Sequence, residues 1–181
     1  MASNLETLVT VFGGSGFLGR NVVRALCKRD YRVRVAVRRP ELAGFLQPSG
    51  KVGQVHVVQA NLRYPASVEA ALRDSDVVIN LVGILTEGGK QSFDAVQAKG
   101  AETVAKAAAA AGARLVHVSA IGADAESPSR YARAKAAGAL ATVSAPLAWT
   151  ASKVCSPASV RTPTRLITTC ESRSAASTEA G

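Results

Sequence analysis

Short apolar runs, bounded by glycines or charged residues, recur along the chain up to about Gly138. Each run is short and rich in β-branched residues, which is typical of buried strands. Between the runs, apolar residues recur at the three- and four-residue spacing of helices. The pattern predicts five strands: Leu8–Phe12, 31–39, Val55–Gln59, 75–83 and 113–122.

The segments between these strands predict helices over 16–30, 67–72, 92–112 and 127–138. Ser67 is the expected N-cap of the second helix, and Gly112 the expected C-terminal stop of the third. Regular alternation of strand and helix indicates right-handed βαβ units. We therefore expect an α/β fold with a doubly wound, mostly parallel sheet.

The composition fits that architecture. The chain has 181 residues, of which 48% are hydrophobic but only 4% aromatic. Its length allows one domain with a substantial core. Such a core must be built from Ala, Val, Leu and Ile, which suits buried parallel strands covered by alanine-rich helices.

The character of the sequence changes after Gly138, where Ser, Thr, Ala and Pro dominate. We expect the fourth helix to end there. This change predicts an α/β domain over 1–138 and an atypical tail over 139–181, poorly ordered after about residue 155. A sixth strand over 149–154 is left open by the pattern.

The net charge of +9 indicates a negatively charged partner, such as nucleic acid, a cofactor phosphate or an acidic membrane surface. Basic residues are scattered except between Arg29 and Arg39, and aromatic residues are not interleaved with them, which argues against nucleic-acid binding. A cofactor phosphate or an acidic membrane surface explains the charge better. Apolar runs are too short for a signal peptide or a transmembrane helix. We expect a cytoplasmic bacterial protein, with peripheral contact at the inner face of the membrane as an option.

The three cysteines predict neither a metal site nor a disulfide framework. Cys27, Cys155 and Cys170 lack metal-binding spacing and cannot pair evenly, so reduced thiols are expected.

A glycine-rich loop follows the first predicted strand. Gly13, Gly16 and Gly19 satisfy G-x-x-G-x-x-G, and Gly14 together with Gly16 and Gly19 satisfies G-x-G-x-x-G. Such glycines allow a tight turn, close approach of the backbone to a pyrophosphate, and close packing of the next helix. The helix N-terminus adds free N–H groups for phosphate, from the segment that includes Ser15, Phe17 and Leu18. The loop predicts a dinucleotide site; the alternative is a turn that binds no ligand.

The end of the second strand indicates which dinucleotide. Sites for NAD usually place a carboxylate there, about 20 residues past the loop, to bind the ribose 2′-hydroxyl. This chain has Arg38 and Arg39 instead. A guanidinium can grip a 2′-phosphate with two hydrogen bonds, which predicts NADP(H) and makes NAD(H) the weaker candidate. The alternative is a solvated charge pair.

Two further strand ends are candidates for cofactor contacts, because ligands bind at the carboxyl edge of such sheets. The candidates are Asn61 and Leu62 at the adenine edge, and Leu81, Val82 and Gly83 after the fourth strand. Ordinary core packing explains the apolar ones nearly as well.

Candidate chemistry lies after the fifth strand. Ser119 ends that strand, and Tyr131 and Lys135 share one helix face at i, i+4 spacing. The Tyr131 phenol, beside the Lys135 ammonium, can exchange a proton with a carbonyl or alcohol. Ser119 could hydrogen-bond to the same oxygen. Lys135 could also bind the nicotinamide ribose. An ordinary helix face is the alternative. His56 and His117 lie within strand patterns and are expected in the core or on a sheet face.

Six segments together resemble the extended, atypical short-chain dehydrogenase/reductase superfamily, and within it the NADPH-binding accessory subunit of respiratory complex I and its bacterial relatives. They are "TVFGGSGFLGRNVVRAL", "VRVAVRRP", "ANLRYPASVEAAL", "VINLVGIL", "FDAVQAKGAETVAKAA" and "LVHVSAIGADAESPSRYARAKAAG". The resemblance implies a Rossmann fold that binds NADPH, with Ser119, Tyr131 and Lys135 at the superfamily's catalytic positions. In the complex I subunit the nucleotide has a structural or regulatory role.

Members of the superfamily continue into a smaller C-terminal substrate or docking domain, which we expect to be absent here. Three functional hypotheses follow. The chain is a non-catalytic NADP(H)-binding accessory or assembly protein of the complex I type, a catalytic NADP-dependent oxidoreductase or epimerase, or a truncated or frame-shifted fragment without function.

Overall fold

The computed structural model describes residues 4–89, 91–143 and 148–151, with the backbone alone for the last range. Within these residues the chain forms six strands: β1 (Leu8–Phe12), β2 (Arg32–Val37), β3 (Val55–Gln59), β4 (Val77–Asn80), β5 (Arg114–Val118) and β6 (Ala148–Ala151). It also forms four α-helices: α1 (Phe17–Cys27), α2 (Pro65–Leu72), α3 (Lys99–Ala110) and α4 (Arg130–Val143). Two 3₁₀ turns, Pro40–Leu42 and Gly44–Ser49, join β2 to β3, and a π-helical segment, Asp94–Ala98, precedes α3.

The strands form one parallel sheet in the order β3-β2-β1-β4-β5-β6. The predicted doubly wound Rossmann architecture is confirmed. The chain first winds from β1 toward β3 and then returns to β4, so the strand order reverses between β1 and β4. Connections leave these two strands toward opposite faces, and a crevice opens at their carboxyl ends.

The central strand shows why this sheet forms from this sequence. All five residues of β1 are buried, as expected for a parallel strand covered on both faces. Val11 lies opposite Val35 of β2 and Ile79 of β4. The hydroxyl of Thr10 pairs with the hydroxyl of Ser75 at 2.7 Å, so the polar group within this strand is satisfied.

Helices cover both faces of the sheet. On one face, Val23 and Cys27 of α1 pack with Leu46 of the second 3₁₀ turn against β1, β2 and β3. On the other face, α2 and α3 bury Leu72, Val104 and several alanines. Small side chains let α3 approach the strands closely, which accounts for a dense core with few aromatic residues.

The fourth helix is longer than the sequence predicts. It continues through Gly138 to Val143, so the prediction that it ends at Gly138 is wrong. Gly138 is buried where α4 crosses the π-helical segment, and a Cβ there would overlap the backbone carbonyl of Gln97. The glycine therefore permits a helix contact, and tertiary packing outweighs its weak helix propensity.

The start of the second helix also differs. It begins at Pro65, and Ser67 is not its N-cap. Proline suits the first helical turn because its missing N–H has no partner there anyway. The Ser67 hydroxyl accepts the Asn61 N–H at 3.0 Å and lies 2.9 Å from the Tyr64 carbonyl, so it orders the preceding loop.

The other predicted elements form at the predicted places, and most of them are shorter than predicted. Gly112 ends the third helix region in the left-handed conformation, with φ of +66°, as predicted. The sixth strand forms at Ala148–Ala151 and pairs with β5, overlapping the predicted position. Residues 152–154 of that prediction, and the tail after residue 155, lie outside the described residues.

Candidate dinucleotide-binding site

The glycine loop joins β1 to α1 at the crevice where the strand order reverses. Gly13 turns the chain there with φ of +76°, a conformation that favours glycine. A Cβ on Gly13 would stand 3.2 Å from the backbone nitrogen of Val82 and 3.3 Å from the carbonyl carbon of Leu81. The loop after β1 and the segment after β4 thus form the two walls of the crevice.

The other glycines of the loop meet different constraints. A Cβ on Gly14 would lie 2.6 Å from a methyl group of Val35, and one on Gly19 would overlap the Gly13 carbonyl. Gly16 has an ordinary extended backbone, with φ of −72° and ψ of 177°, and is exposed. Only the Gly13 carbonyl, at 3.3 Å, lies near its Cβ position. The internal structure therefore requires Gly14 and Gly19 to be small, while Gly16 leaves open space outside the loop.

The N-terminus of α1 offers hydrogen-bond donors at the same place. Arg20 N–H makes the first intrahelical bond, to the Gly16 carbonyl at 3.0 Å. The N–H groups of Phe17, Leu18 and Gly19 precede that bond and have no acceptor within the helix. The first turn contains no acidic residue, and the Gly16 N-cap makes no side-chain capping bond. Together with the space at Gly16 and the hydroxyl residue Ser15, these donors fit a pyrophosphate.

Arg38 and Arg39 directly follow β2, and both are exposed. Arg38 Nη1 donates to Gln91 Oε1 at 2.7 Å. Because a guanidinium has five N–H donors and glutamine is neutral, this bond leaves the charge and other donors of Arg38 available.

The candidate residues after β3 and those after β4 have different surroundings. Leu62 is buried in the core beside Gly100 of α3, which favours the packing interpretation for this residue. The Asn61 side-chain oxygen accepts the N–H of Arg63 at 3.1 Å. Leu81 and Val82 are half-buried, and Leu81 N–H donates to the Phe12 carbonyl at 3.0 Å.

The three candidate catalytic residues surround the junction of β5 and α4. Ser119 Oγ donates to the Lys135 carbonyl at 3.3 Å. The Tyr131 ring meets the Phe93 ring edge-on, with 5.6 Å between centroids. Lys135 is 6% exposed, and its Nζ lies 3.2 Å from the Cβ position of Gly83. The structure therefore brings Ser119, Lys135 and Gly83 together.

Burial sets the electrostatics of Lys135. Removal from water lowers the pKa of its ammonium group below the ordinary value. Among the residues that the structure describes, Nζ has neither a hydrogen-bond acceptor nor an ion-pair partner. A lysine of this kind is suited to donate to a hydroxyl group brought to the crevice.

The loop between β4 and α3 contributes contacts that the sequence analysis missed. Glu87 accepts the Phe93 N–H at 2.8 Å and forms an ion pair with Arg130 at 2.8 Å. Gln91, on the same loop, holds Arg38. The Glu87–Arg130 and Arg38–Gln91 contacts join residues more than 40 positions apart, so no local pattern could have indicated them.

Both histidines lie on strands, as expected, but only one is buried. His56 on β3 is exposed, whereas His117 on β5 is 1% exposed and lies 3.2 Å from the side-chain nitrogen of Asn80. The described residues contain no cluster of three side chains able to hold a metal ion. The Cys27 thiol is free and buried, and burial raises its pKa. Cys155 and Cys170 lie outside the described residues.

No helix within the described ranges is both long enough and apolar enough to cross a bilayer.

Comparison with known proteins decides the family. A family model described as NAD(P)H-binding matches residues 13–152. The chain belongs to this NAD(P)H-binding family. It is a member of the extended short-chain dehydrogenase/reductase superfamily, as the resemblance of its motifs implies. The match includes the glycine loop, α4 and β6.

Individual relatives of the NAD(P)H-binding chain include an enzyme and a subunit of a respiratory complex. It is 36% identical to a ceramide reductase of Caulobacter vibrioides over 76% of its own length and 42% of the reductase. It is also 36% identical to the mitochondrial NADH-ubiquinone oxidoreductase 40 kDa subunit of Neurospora crassa, over 71% of its length and 35% of that subunit. The chain thus spans less than half of these relatives.

The fold has a close counterpart among solved structures. The Bordetella bronchiseptica enzyme WbmG in complex with NAD matches with a TM-score of 0.61 and 20% identity, covering 80% of this chain and 51% of WbmG. This likeness concerns the fold alone.

Proposed function

We propose that this chain binds NADP(H) in preference to NAD(H) and acts as a non-catalytic accessory or assembly protein of the complex I type. The observation that carries the cofactor preference is the Arg38-Arg39 pair after β2, where an NAD site usually has a carboxylate. Arg38 is exposed at the carboxyl edge of the sheet, and its contact with Gln91 is neutral. Both arginines would hold the 2′-phosphate.

Residues around the crevice would make the remaining contacts with the cofactor. The loop glycines Gly13, Gly14, Gly16 and Gly19, with Ser15 and the N–H groups of Phe17 and Leu18, would hold the pyrophosphate. Asn61, Leu81, Val82 and Gly83 would line the adenosine side and the cleft. Tyr131 and Lys135 would lie at the nicotinamide end. When bound, the nicotinamide supplies hydride-transfer chemistry.

The accessory role rests on similarity and charge. The 40 kDa subunit of Neurospora crassa is, by its name, part of NADH-ubiquinone oxidoreductase. A net charge of +9 suits docking at an acidic protein or membrane surface. We propose respiratory complex I or another membrane-associated protein as the partner, and the bacterial cytoplasm, at the inner face of the membrane, as the location.

A reductase or epimerase is the second candidate, favoured by the buried Lys135 beside Gly83 and by the similarity to a ceramide reductase. In that case Tyr131 would hold or move the proton at its phenolic oxygen, and Ser119 and Lys135 would orient the reacting oxygen. The test is whether a substrate causes the chain to oxidise NADPH. If it does, and if Tyr131→Phe abolishes this oxidation, the result favours a reductase or epimerase over the accessory role.

The cofactor preference is tested by thermal melts of the purified chain with NADPH and with NADH. A ligand that binds the folded state at 100 times its Kd stabilises it by about 2.7 kcal/mol. We expect a larger rise in Tm with NADPH than with NADH. Arg38→Ala should remove most of the difference, because charge-assisted hydrogen bonds contribute about 1.5–3 kcal/mol.

Arg114→Ala is the matched control, since it removes the same charge from an exposed residue at the opposite edge of the sheet. It should leave the NADPH shift unchanged. Equal shifts with both dinucleotides in the unmodified chain would overturn the preference, and no shift with either would overturn dinucleotide binding itself.

A further inference from the structure

A buried amide links the crevice wall to the strand beneath α4. Asn80 ends β4 and is 1% exposed. Its Oδ1 accepts the backbone N–H of Val82 at 3.1 Å, and its Nδ2 lies 3.2 Å from His117 Nδ1. The amide therefore bridges the backbone of the crevice wall and a histidine on the neighbouring strand.

The chemistry of these groups determines which atom donates and which accepts in each of the two hydrogen bonds of the bridge. The Val82 N–H can only donate, so the oxygen of the Asn80 amide must face it. The amide nitrogen then faces His117 and can only donate, so His117 Nδ1 must carry a free electron pair. His117 is therefore neutral, with its proton on Nε2.

The surroundings of His117 favour this neutral form. Burial, and after it the nearby charge of Lys135, lower the pKa of His117 to about 4. Nε2 has no hydrogen-bond partner among the described protein groups, so the bond to Asn80 is the contact that fixes the ring's tautomer.

The bridge ends where the two walls of the crevice are in close contact. The backbone from Leu81 to Val82 lies within 3.3 Å of the Cβ position of Gly13. A shift of Val82 by a few tenths of an ångström would press this wall against the glycine loop or open a gap there. Without an acceptor on Asn80, the half-buried Val82 N–H would also lose its partner.

We propose that the neutral, Nε2-protonated His117 is a positioning residue that, through Asn80, holds the Val82 backbone in the geometry the dinucleotide requires. This inference rests on the proposed binding of NADP(H). His117 itself lies in the core and acts through Asn80.

The test compares two substitutions of His117 that differ in the acceptor. Asparagine places its side-chain oxygen close to the position of Nδ1 and can accept from Asn80, whereas leucine fills similar space without an acceptor. NADPH binding is measured by calorimetry at a temperature where circular dichroism shows each variant folded. We expect His117→Leu to raise Kd at least tenfold and His117→Asn to stay within about threefold of the unmodified chain.

Leu115→Val serves as the control for a general loss of stability. Leu115 is buried on the same strand and the same face, two residues before His117. Its aliphatic side chain forms no hydrogen bond to Asn80, Val82 or His117. It should lower Tm while leaving Kd unchanged. Unchanged binding in His117→Leu, or equal losses in His117→Leu and His117→Asn, would overturn the proposal.

A second measurement separates this proposal from the proposed function. Exchange of the Val82 amide hydrogen and the ¹⁵N shifts of the His117 ring need no ligand. We expect an Nε2-protonated ring, with Val82 protection lost in His117→Leu and retained in His117→Asn. If the unmodified chain binds neither dinucleotide, the proposed function fails, and unchanged Val82 protection in His117→Leu would overturn the positioning role independently.

Discussion

At the scale of single residues, the glycines of the loop differ in what excludes a side chain: internal packing for Gly19, and only an external ligand for Gly16. Gly19 lies against the backbone of Gly13 and Gly14, so internal packing excludes a side chain there. Gly16 has an ordinary backbone conformation and an open outer side. Its small size is required only if something outside the chain approaches the loop.

This difference predicts opposite phenotypes for two alanine substitutions. Gly16→Ala should change the free energy of unfolding by no more than about 0.5 kcal/mol, the usual range for surface substitutions. It should weaken NADPH binding about tenfold or more, because its methyl group would stand between the loop and a phosphate. Gly19→Ala should instead destabilise the fold by about 1–3 kcal/mol through overpacking. Urea unfolding and calorimetry measure the two effects.

Unchanged NADPH affinity in Gly16→Ala, at full stability, would mean that the pyrophosphate does not lie against this loop. Gly19→Ala as stable as the unmodified chain would contradict the packing argument.

At the scale of elements, α4 connects the crevice to the core. Its residue Lys135 lies beside Gly83 of the crevice wall, and its buried face crosses the π-helical segment before α3. Gly138 allows this crossing because the Gln97 carbonyl occupies the space of a side chain. π-Helical turns occur often at functional sites, and this one precedes the helix that covers β4. The position of Lys135 therefore depends on a backbone-to-backbone contact one helical turn away.

Two helical glycines test this dependence. Gly138→Ala should lower the free energy of unfolding by about 1–3 kcal/mol, because a backbone carbonyl cannot move aside. Gly100→Ala is the matched control: its nearest neighbours are Cβ and a methyl group of Leu62, both at 3.1 Å and without the overlap found at Gly138. The higher helix propensity of alanine, about 1 kcal/mol, offsets this tighter contact. Chemical denaturation compares the two. Equal stability of both variants would show that the crossing tolerates a side chain.

At the scale of the whole molecule, the winding order brings candidate residues from four strand ends to one edge of the sheet. The reversal between β1 and β4 brings the glycine loop beside Leu81 and Val82, while β2 and β5 bring the arginine pair and Ser119 to the same edge. The same winding buries His117 beneath α4, so the protonation of one side chain is coupled to global stability.

The coupling predicts acid sensitivity. The pKa of His117 is about 4 in the fold and 6.5 ordinarily, so between these values the unfolded chain binds a proton that the folded chain does not. The free energy of unfolding should therefore be fully retained above pH 6.5 and fall as the pH drops toward 4, by about 3 kcal/mol from this residue. Urea midpoints across this range measure the effect.

The variant His117→Asn should lose that part of the pH dependence, because it has no titrating ring. His56→Asn is the control, since His56 is exposed on β3. Identical pH profiles for His117→Asn and the unmodified chain would contradict the buried neutral state.

Local pattern was sufficient to predict the first five strands, the order of elements, the glycine loop and the arginine pair. Apolar runs and helical spacing express local preferences, and a parallel α/β sheet follows from their alternation. The same reasoning misplaced the start of α2 and ended α4 too early. Ser67 orders a loop through Asn61, and Gly138 serves a crossing with Gln97; both roles depend on neighbours that local pattern does not show.

The sequence by itself therefore determined the fold class and the dinucleotide motif, because both are written in adjacent residues. Only the tertiary structure decided which glycine faces outward, that Leu62 belongs to the core, and that Asn80 joins Val82 to His117. These facts depend on which residues from distant parts of the chain meet at the sheet edge. Burial then lowers the pKa of both His117 and Lys135, and burial is a property of the assembled core rather than of any short segment.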